Sequence, residues 1–170
     1  PGKSLEICCM HLDKGQMWIG TTTDGAYRLQ LDKNELTHPI LKGNITSIYQ
    51  DSEGELWIGS WEEGLHHVKT DGTIEIFEYD AKNPYSISSN FVRACCEDNL
   101  GNIWIGTFNG LNRYDKSTGL FQNHTASDAQ SDGLTHSSIW CIVKDNQGTL
   151  WLGTYFGGVN YFNPEYEIYS

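Results

Sequence analysis

Apolar and polar positions in this chain recur in blocks, each with the same internal order. A block opens on a short stretch that is apolar on both faces: Ile7-Cys-Cys-Met-His11, Ile45-Thr-Ser-Ile-Tyr49, Val92-Arg-Ala-Cys-Cys96 and Ile139-Trp-Cys-Ile-Val143. Such a run predicts a strand buried between neighbours on both sides. Next comes an aspartate and, shortly after, a glycine: Asp13-Lys-Gly15, Asp51-Ser-Glu-Gly54, Asp98-Asn-Leu-Gly101 and Asp145-Asn-Gln-Gly148. The aspartate bonds its own backbone and the glycine supplies positive φ, so each pair predicts a tight turn between antiparallel strands. The strand beyond the turn carries Trp-Ile-Gly-Thr or a near copy, and a further glycine (Gly25, Gly64, Gly110, Gly158) opens a third strand. A fourth follows, for example Ile74-Glu-Ile-Phe-Glu-Tyr79, whose alternation suits an outer strand wet on one face.

The repeated motif fixes the architecture. Its tryptophans are Trp18, Trp57, Trp104 and Trp151, separated by 39, 47 and 47 residues, a period that suits one four-stranded propeller blade. The expected fold is all-β. The expected organisation is a partial β-propeller over 1–170, with four four-stranded antiparallel blades at about 5–43, 44–90, 91–138 and 139–170. The four tryptophans read as structural, each filling the gap to the adjacent blade and offering its ring nitrogen to a carbonyl there. Gly20, Gly59, Gly106 and Gly153 read as places where two backbones approach closely. Glu167–Ser170 would complete the last blade, and Pro1–Ser4 is too short to donate an outer strand.

Charge and cysteine content narrow the partners. The net charge is −11, from 22 acidic and 11 basic side chains, which repels phosphate backbones and argues against nucleic acid. No apolar run approaches the ~20 residues of a membrane span, and no signal-peptide pattern is visible. The chain begins at Pro1, as an excised piece of a longer protein would. Cys8, Cys9, Cys95, Cys96 and Cys141 all fall on first strands and read as small buried hydrophobes, not as a disulfide framework or a zinc site. His66 and His67 are adjacent on a strand and point to opposite faces, so they cannot chelate together. The turn aspartates sit one to a turn, which is not a calcium site. No metal or cofactor is expected.

The motif resembles the two-component regulator propeller repeat, and Asn102-Ile-Trp-Ile-Gly-Thr-Phe-Asn-Gly-Leu-Asn-Arg-Tyr114 is nearly a consensus copy of it. The links Asn83-Pro-Tyr-Ser-Ile-Ser-Ser-Asn90 and Ser131-Asp-Gly-Leu-Thr-His-Ser-Ser138 resemble the family as well. That resemblance implies the periplasmic sensor region of a Bacteroides-type hybrid two-component system. There, propellers of seven blades precede an immunoglobulin-like domain, a membrane helix, and kinase and response-regulator modules. Many such receptors sense oligosaccharides. This chain would then be a non-catalytic part of the input, completed by the parent's other blades or by self-association. The alternatives are a fragment of a propeller lyase or glycoside hydrolase, and a structural dimerisation scaffold.

Candidate ligand-binding residues follow from equivalent positions. The residue after Gly-Thr/Ser is aromatic in three blocks, at Trp61, Phe108 and Tyr155, with Phe156 next to the last; the first block has Thr22. Arg93 and Trp140 fall at equivalent places near the start of the inner strands, and Glu62 lies beside Trp61. All should emerge on one face. Rings and polar groups suit a sugar, and Arg93 suits a uronate or sulfate. Packing against neighbouring loops or a partner protomer explains the same aromatics equally well.

Overall fold

The computed structural model describes residues 4–37, 39–126 and 133–166. Among these the chain is all-β, with no helix. Blade 1 holds β1 (Ile7–Asp13), β2 (Gln16–Thr21), β3 (Ala26–Gln30) and β4 (Glu35–Leu36). Blade 2 holds β5 (Ile45–Gln50), β6 (Leu56–Ser60), β7 (Leu65–Val68) and β8 (Ile74–Phe77). Blade 3 holds β9 (Val92–Glu97), β10 (Ile103–Thr107), β11 (Gly110–Asp115) and β12 (Leu120–His124), and blade 4 holds β13 (Ile139–Lys144), β14 (Leu150–Thr154) and β15 (Val159–Phe162). Every sheet is an antiparallel meander in chain order. The expected fourth strand of blade 4, Glu167–Ser170, lies outside the described residues, as do Pro1–Lys3.

Inner strands pack side by side, β1 on β5, β5 on β9 and β9 on β13, so the blades fan around one axis. Each seam is an apolar cluster. Trp18 and Ala26 of blade 1 meet Ile45, Ile48, Leu56 and Ile58 of blade 2. Trp57 and Leu65 meet Cys95, Ile103, Ile105, Tyr114 and Phe121 of blade 3. Trp104 and Leu111 meet Ile139, Ile142, Leu150 and Leu152 of blade 4. Each blade therefore has a forward face bearing the tryptophan and a backward face bearing aliphatics. Burying this area supplies most of the cohesion.

The glycine after each tryptophan has a steric cause. A Cβ on Gly59 would lie 2.8 Å from Val92 Cγ1, and one on Gly106 would lie 2.6 Å from Ile139 Cγ2. Gly20 stands in the same relation to Ile45, at 2.7 Å. The first residue of each following blade occupies the space a side chain would need. The next residue, Thr or Ser, closes the loop to the third strand: Thr21, Ser60, Thr107 and Thr154 each donate to the carbonyl of Gly25, Gly64, Gly110 or Gly158.

Three expectations need correction. The indole nitrogens do not reach the next blade. Trp57, Trp104 and Trp151 donate to Asp51, Asp98 and Asp145 of their own hairpins, at 2.9, 2.7 and 2.9 Å. The second oxygen of each aspartate accepts two turn amides, so a single carboxylate ties turn to ring. Blade 1 lacks this link: its turn is shorter, with Lys14 and Gly15 both at positive φ, and Trp18 Nε1 has no hydrogen-bond partner. Secondly, Trp151 is 42% exposed, because no blade among the described residues packs on its face. Thirdly, Cys8 and Cys141 are exposed, while Cys95 and Cys96 are buried. Cys95 faces blade 2 and Cys96 faces blade 4, as alternation along a strand requires, and all five thiols are free.

At the hairpin end of the seam between blades 2 and 3, Asp51, Glu53 and Glu55 come together. Lys116 of blade 3 answers them, with Nζ 3.0 Å from Asp51 and Glu53 and 3.7 Å from Glu97. Burial alone would raise the Asp51 carboxyl; hydrogen bonds from Trp57, Lys116 and the Glu55 amide outweigh it and hold it below the usual range. The trio is thus an inter-blade clamp with its own counter-charge. His67 Nε2 lies 2.6 Å from Glu55, and its ring stacks on Trp57 at 3.9 Å.

Candidate functional site

The aromatic mouth is placed by one backbone bond used in every blade. The residue after Gly-Thr/Ser donates its amide to the carbonyl just before the inner strand: Thr22 to Glu6, Trp61 to Asn44, Phe108 to Phe91 and Tyr155 to Ser138. This fastens the loop between the second and third strands beside the start of the first. Side chains from that loop and from the head of the inner strand then share one end of the blade.

A second repeated device aims the inner-strand residues. Each inner strand carries a bulge beside its first residue, where the register slips and one residue is left unpaired. The extra residues are Cys8, Thr46, Arg93 and Trp140. The first two seal seams: Cys8 Sγ donates to Ile45 O at 2.8 Å, and Thr46 Oγ1 donates to Val92 O at 2.5 Å. Arg93 and Trp140 instead send large side chains into the mouth.

There they meet the loop aromatics. Arg93 Cζ lies 4.1 Å from the Trp140 ring centroid, 5.1 Å from Trp61 and 5.9 Å from Phe108. Trp140 stacks on Tyr155 at 5.7 Å and 23°, and Tyr155 meets Phe156 edge-on at 4.3 Å. Six of the seven candidates, Trp61, Phe108, Tyr155, Phe156, Trp140 and Arg93, thus form one continuous arc across blades 2 to 4. All five rings are exposed. Glu62 lies exposed on the same loop and makes no ion pair with Arg93 among the described residues. The carboxylate of Glu63 lies beside Gly43, in the link between blades 1 and 2. Blade 1, with Thr22 and Cys8 at the matching positions, contributes no ring.

Phe91 was not visible from the repeat pattern. It sits under the arc, edge-on to Trp61 at 5.6 Å and tilted to Phe108 at 6.1 Å. The matching residues are Glu6, Asn44 and Ser138, so aligning the repeats gives no hint of a ring there. His136, which meets Phe156 at 6.4 Å, escaped for the same reason.

The mouth offers flat apolar surfaces set around a cation. Burial lowers the Arg93 pKa, and the nearby Tyr155 hydroxyl opposes this.

Comparison with known proteins agrees with the architecture. An extracellular domain assigned to a hybrid two component system of B. thetaiotaomicron superposes with a TM-score of 0.59 at 22% identity, over 92% of this chain and 27% of that one. A second such domain from the same organism gives 0.55 and 24%, over 95% and 28%. The WD40 beta propeller domain of Doa1 gives 0.68 and 17%, over 94% and 51%. The chain spans about a quarter of the length of the two extracellular domains. No curated protein matches it in sequence. The two component regulator propeller model matches residues 39–62, 86–109 and 133–156, each running from a link through the inner strand and the tryptophan to the loop aromatic. Three successive blades of this chain thus carry tandem copies of the two component regulator propeller repeat.

Proposed function

We propose that this chain is part of the extracytoplasmic sensor of a two-component receptor, and that its mouth binds a glycan-derived ligand. The observation that carries the reading is the continuous arc from Trp61 to Phe156. Exposed rings backed by a bulged inner strand form a platform for the apolar face of a sugar, with Arg93 for its polar rim. The family match and the extracellular domains that share the fold support a sensory role outside the cytoplasm. On this reading the chain itself catalyses nothing, and the kinase lies elsewhere in the parent. Forward and backward faces of the terminal blades are covered by the parent's remaining blades, or by a second copy when the chain is alone. A glycan array probed with the labelled chain tests the proposal, each hit being titrated by tryptophan fluorescence. The expected result is a hit whose affinity falls when Trp140 or Tyr155 becomes Ala. An array without hits, or hits indifferent to both substitutions, contradicts it.

A further inference from the structure

Among the described residues Arg93 is the cation set against the rings of the mouth, and those rings do not satisfy its hydrogen-bonding capacity. A guanidinium carries five N–H donors. None reaches a protein acceptor among the described residues, and Nε is buried without a partner. The chain carries 22 acidic side chains, and two of its lysines are paired with them; Arg28 and Arg113 also keep a buried Nε without a partner, but neither lies among the rings of the mouth. Lys116 is held by Asp51 and Glu53, and Lys69 Nζ lies 2.6 Å from Glu75. At the mouth no carboxylate comes to Arg93, although Glu62 and Glu63 are on the adjoining loop. The bulge that carries it, unlike those at Cys8 and Thr46, makes no bond across the seam. Trp140, Trp61 and Phe108 engage the positive charge and hold it in place, but they accept none of its N–H bonds. A partly buried cation, fixed by rings and without a counter-charge among the described residues, is placed to form an ion pair with a bound anion.

We infer that the ligand of this mouth is an acidic oligosaccharide, whose carboxylate or sulfate oxygens take the free N–H groups of Arg93 while the sugar ring rests on Trp140 and Tyr155. The inference rests on the sugar-binding reading above and narrows it to one ligand class. A planar guanidinium accepts two oxygens of either anion side by side, so uronate and sulfate share the required chemistry. A neutral sugar would cover this partly buried charge without supplying a counter-charge.

The test is an array that carries uronate-bearing, sulfated and neutral oligosaccharides on matched backbones, read at one ionic strength. Hits should fall among the uronate or sulfated members, and those two arms tell which anion is taken. Arg93→Gln should weaken those hits by about tenfold or more, the size expected for losing a charge-assisted bond, and Arg93→Lys should restore part of the loss. Methyl-esterifying a bound uronate should weaken it to the same degree without touching the protein, so the result does not depend on how the variant folds. Hits confined to neutral sugars, unchanged in Arg93→Gln, overturn the acidic ligand and leave the sugar site standing. No hits at all overturn both.

Discussion

The seam between blades 3 and 4 and the open face of blade 4 are built from the same positions and end in opposite environments. On blade 3 the forward face runs Ala94, Cys96, Trp104 and Leu111, all buried against blade 4. The matching row on blade 4 is Cys141, Val143, Trp151 and Val159, joined in register with Tyr161, and all are exposed. Both tryptophans keep the aspartate bond, and Trp151 still stacks on Tyr161 at 5.0 Å. What differs is the presence of a next blade. The repeat therefore encodes a ready face, and the neighbour alone decides whether that face becomes core. Blade 1 shows the complementary half, with Met10 and Leu12 exposed on its inner strand.

The comparison can be broken at the ring. Trp104, 2% exposed, should cost about 3–5 kcal/mol when cut to Ala, the range for a large core aromatic. Trp151→Ala should cost about 1 kcal/mol, an ordinary substitution. Denaturant unfolding of both variants gives the difference, and equal losses would show that the ring stabilises its own blade rather than the seam.

Glycine sharpens the point at smaller scale. Gly106→Ala drives a methyl against Ile139 of the next blade and should destabilise by about 1–3 kcal/mol, as overpacking does. At Gly153 a Cβ meets only the Cys141 thiol, a side chain of its own blade at the open face. Thermal unfolding should therefore show a smaller shift for Gly153→Ala, and a larger one would contradict the steric account.

The weakest effect is the acid response of the clamp. The Asp51 carboxyl lies below its ordinary value in the folded chain. The folded state thus holds this proton less readily than the unfolded one, and the stabilisation is complete at neutral pH. It fades once pH falls below about 4, the ordinary carboxylate value, and is gone below the lowered folded value. Asp51→Asn should be less stable at pH 7 and should lose stability less steeply between about pH 4 and 2. Unfolding curves across that range check it; parallel slopes would show that Asp51 does not contribute.

How much of this was legible depends on the range of each interaction. Turns, strand order and the blade repeat are local, and Asp51-Ser-Glu-Gly54 or Gly-Thr announces them directly. The aspartate-to-indole bond was legible in principle, since Asp51, Asp98 and Asp145 each stand six residues before their tryptophan. The loop aromatics and Arg93 could be aligned because equivalent positions in a repeat emerge together. Phe91 could not, because one blade alone carries a ring there. The bulges leave no residue-type signature: Cys8, Thr46, Arg93 and Trp140 have nothing in common as side chains. The exposure of Trp151, Cys141 and Cys8 depends on which blades adjoin them, and no local pattern records that.

Light scattering of the isolated chain tests the central claim, that the forward face of blade 4 is a seam awaiting its partner. Wild type should show a mass above that of one chain, rising with concentration, and Trp151→Glu should return it to a single chain while keeping its fold by circular dichroism. A wild-type chain that remains a monomer at every concentration would contradict the account.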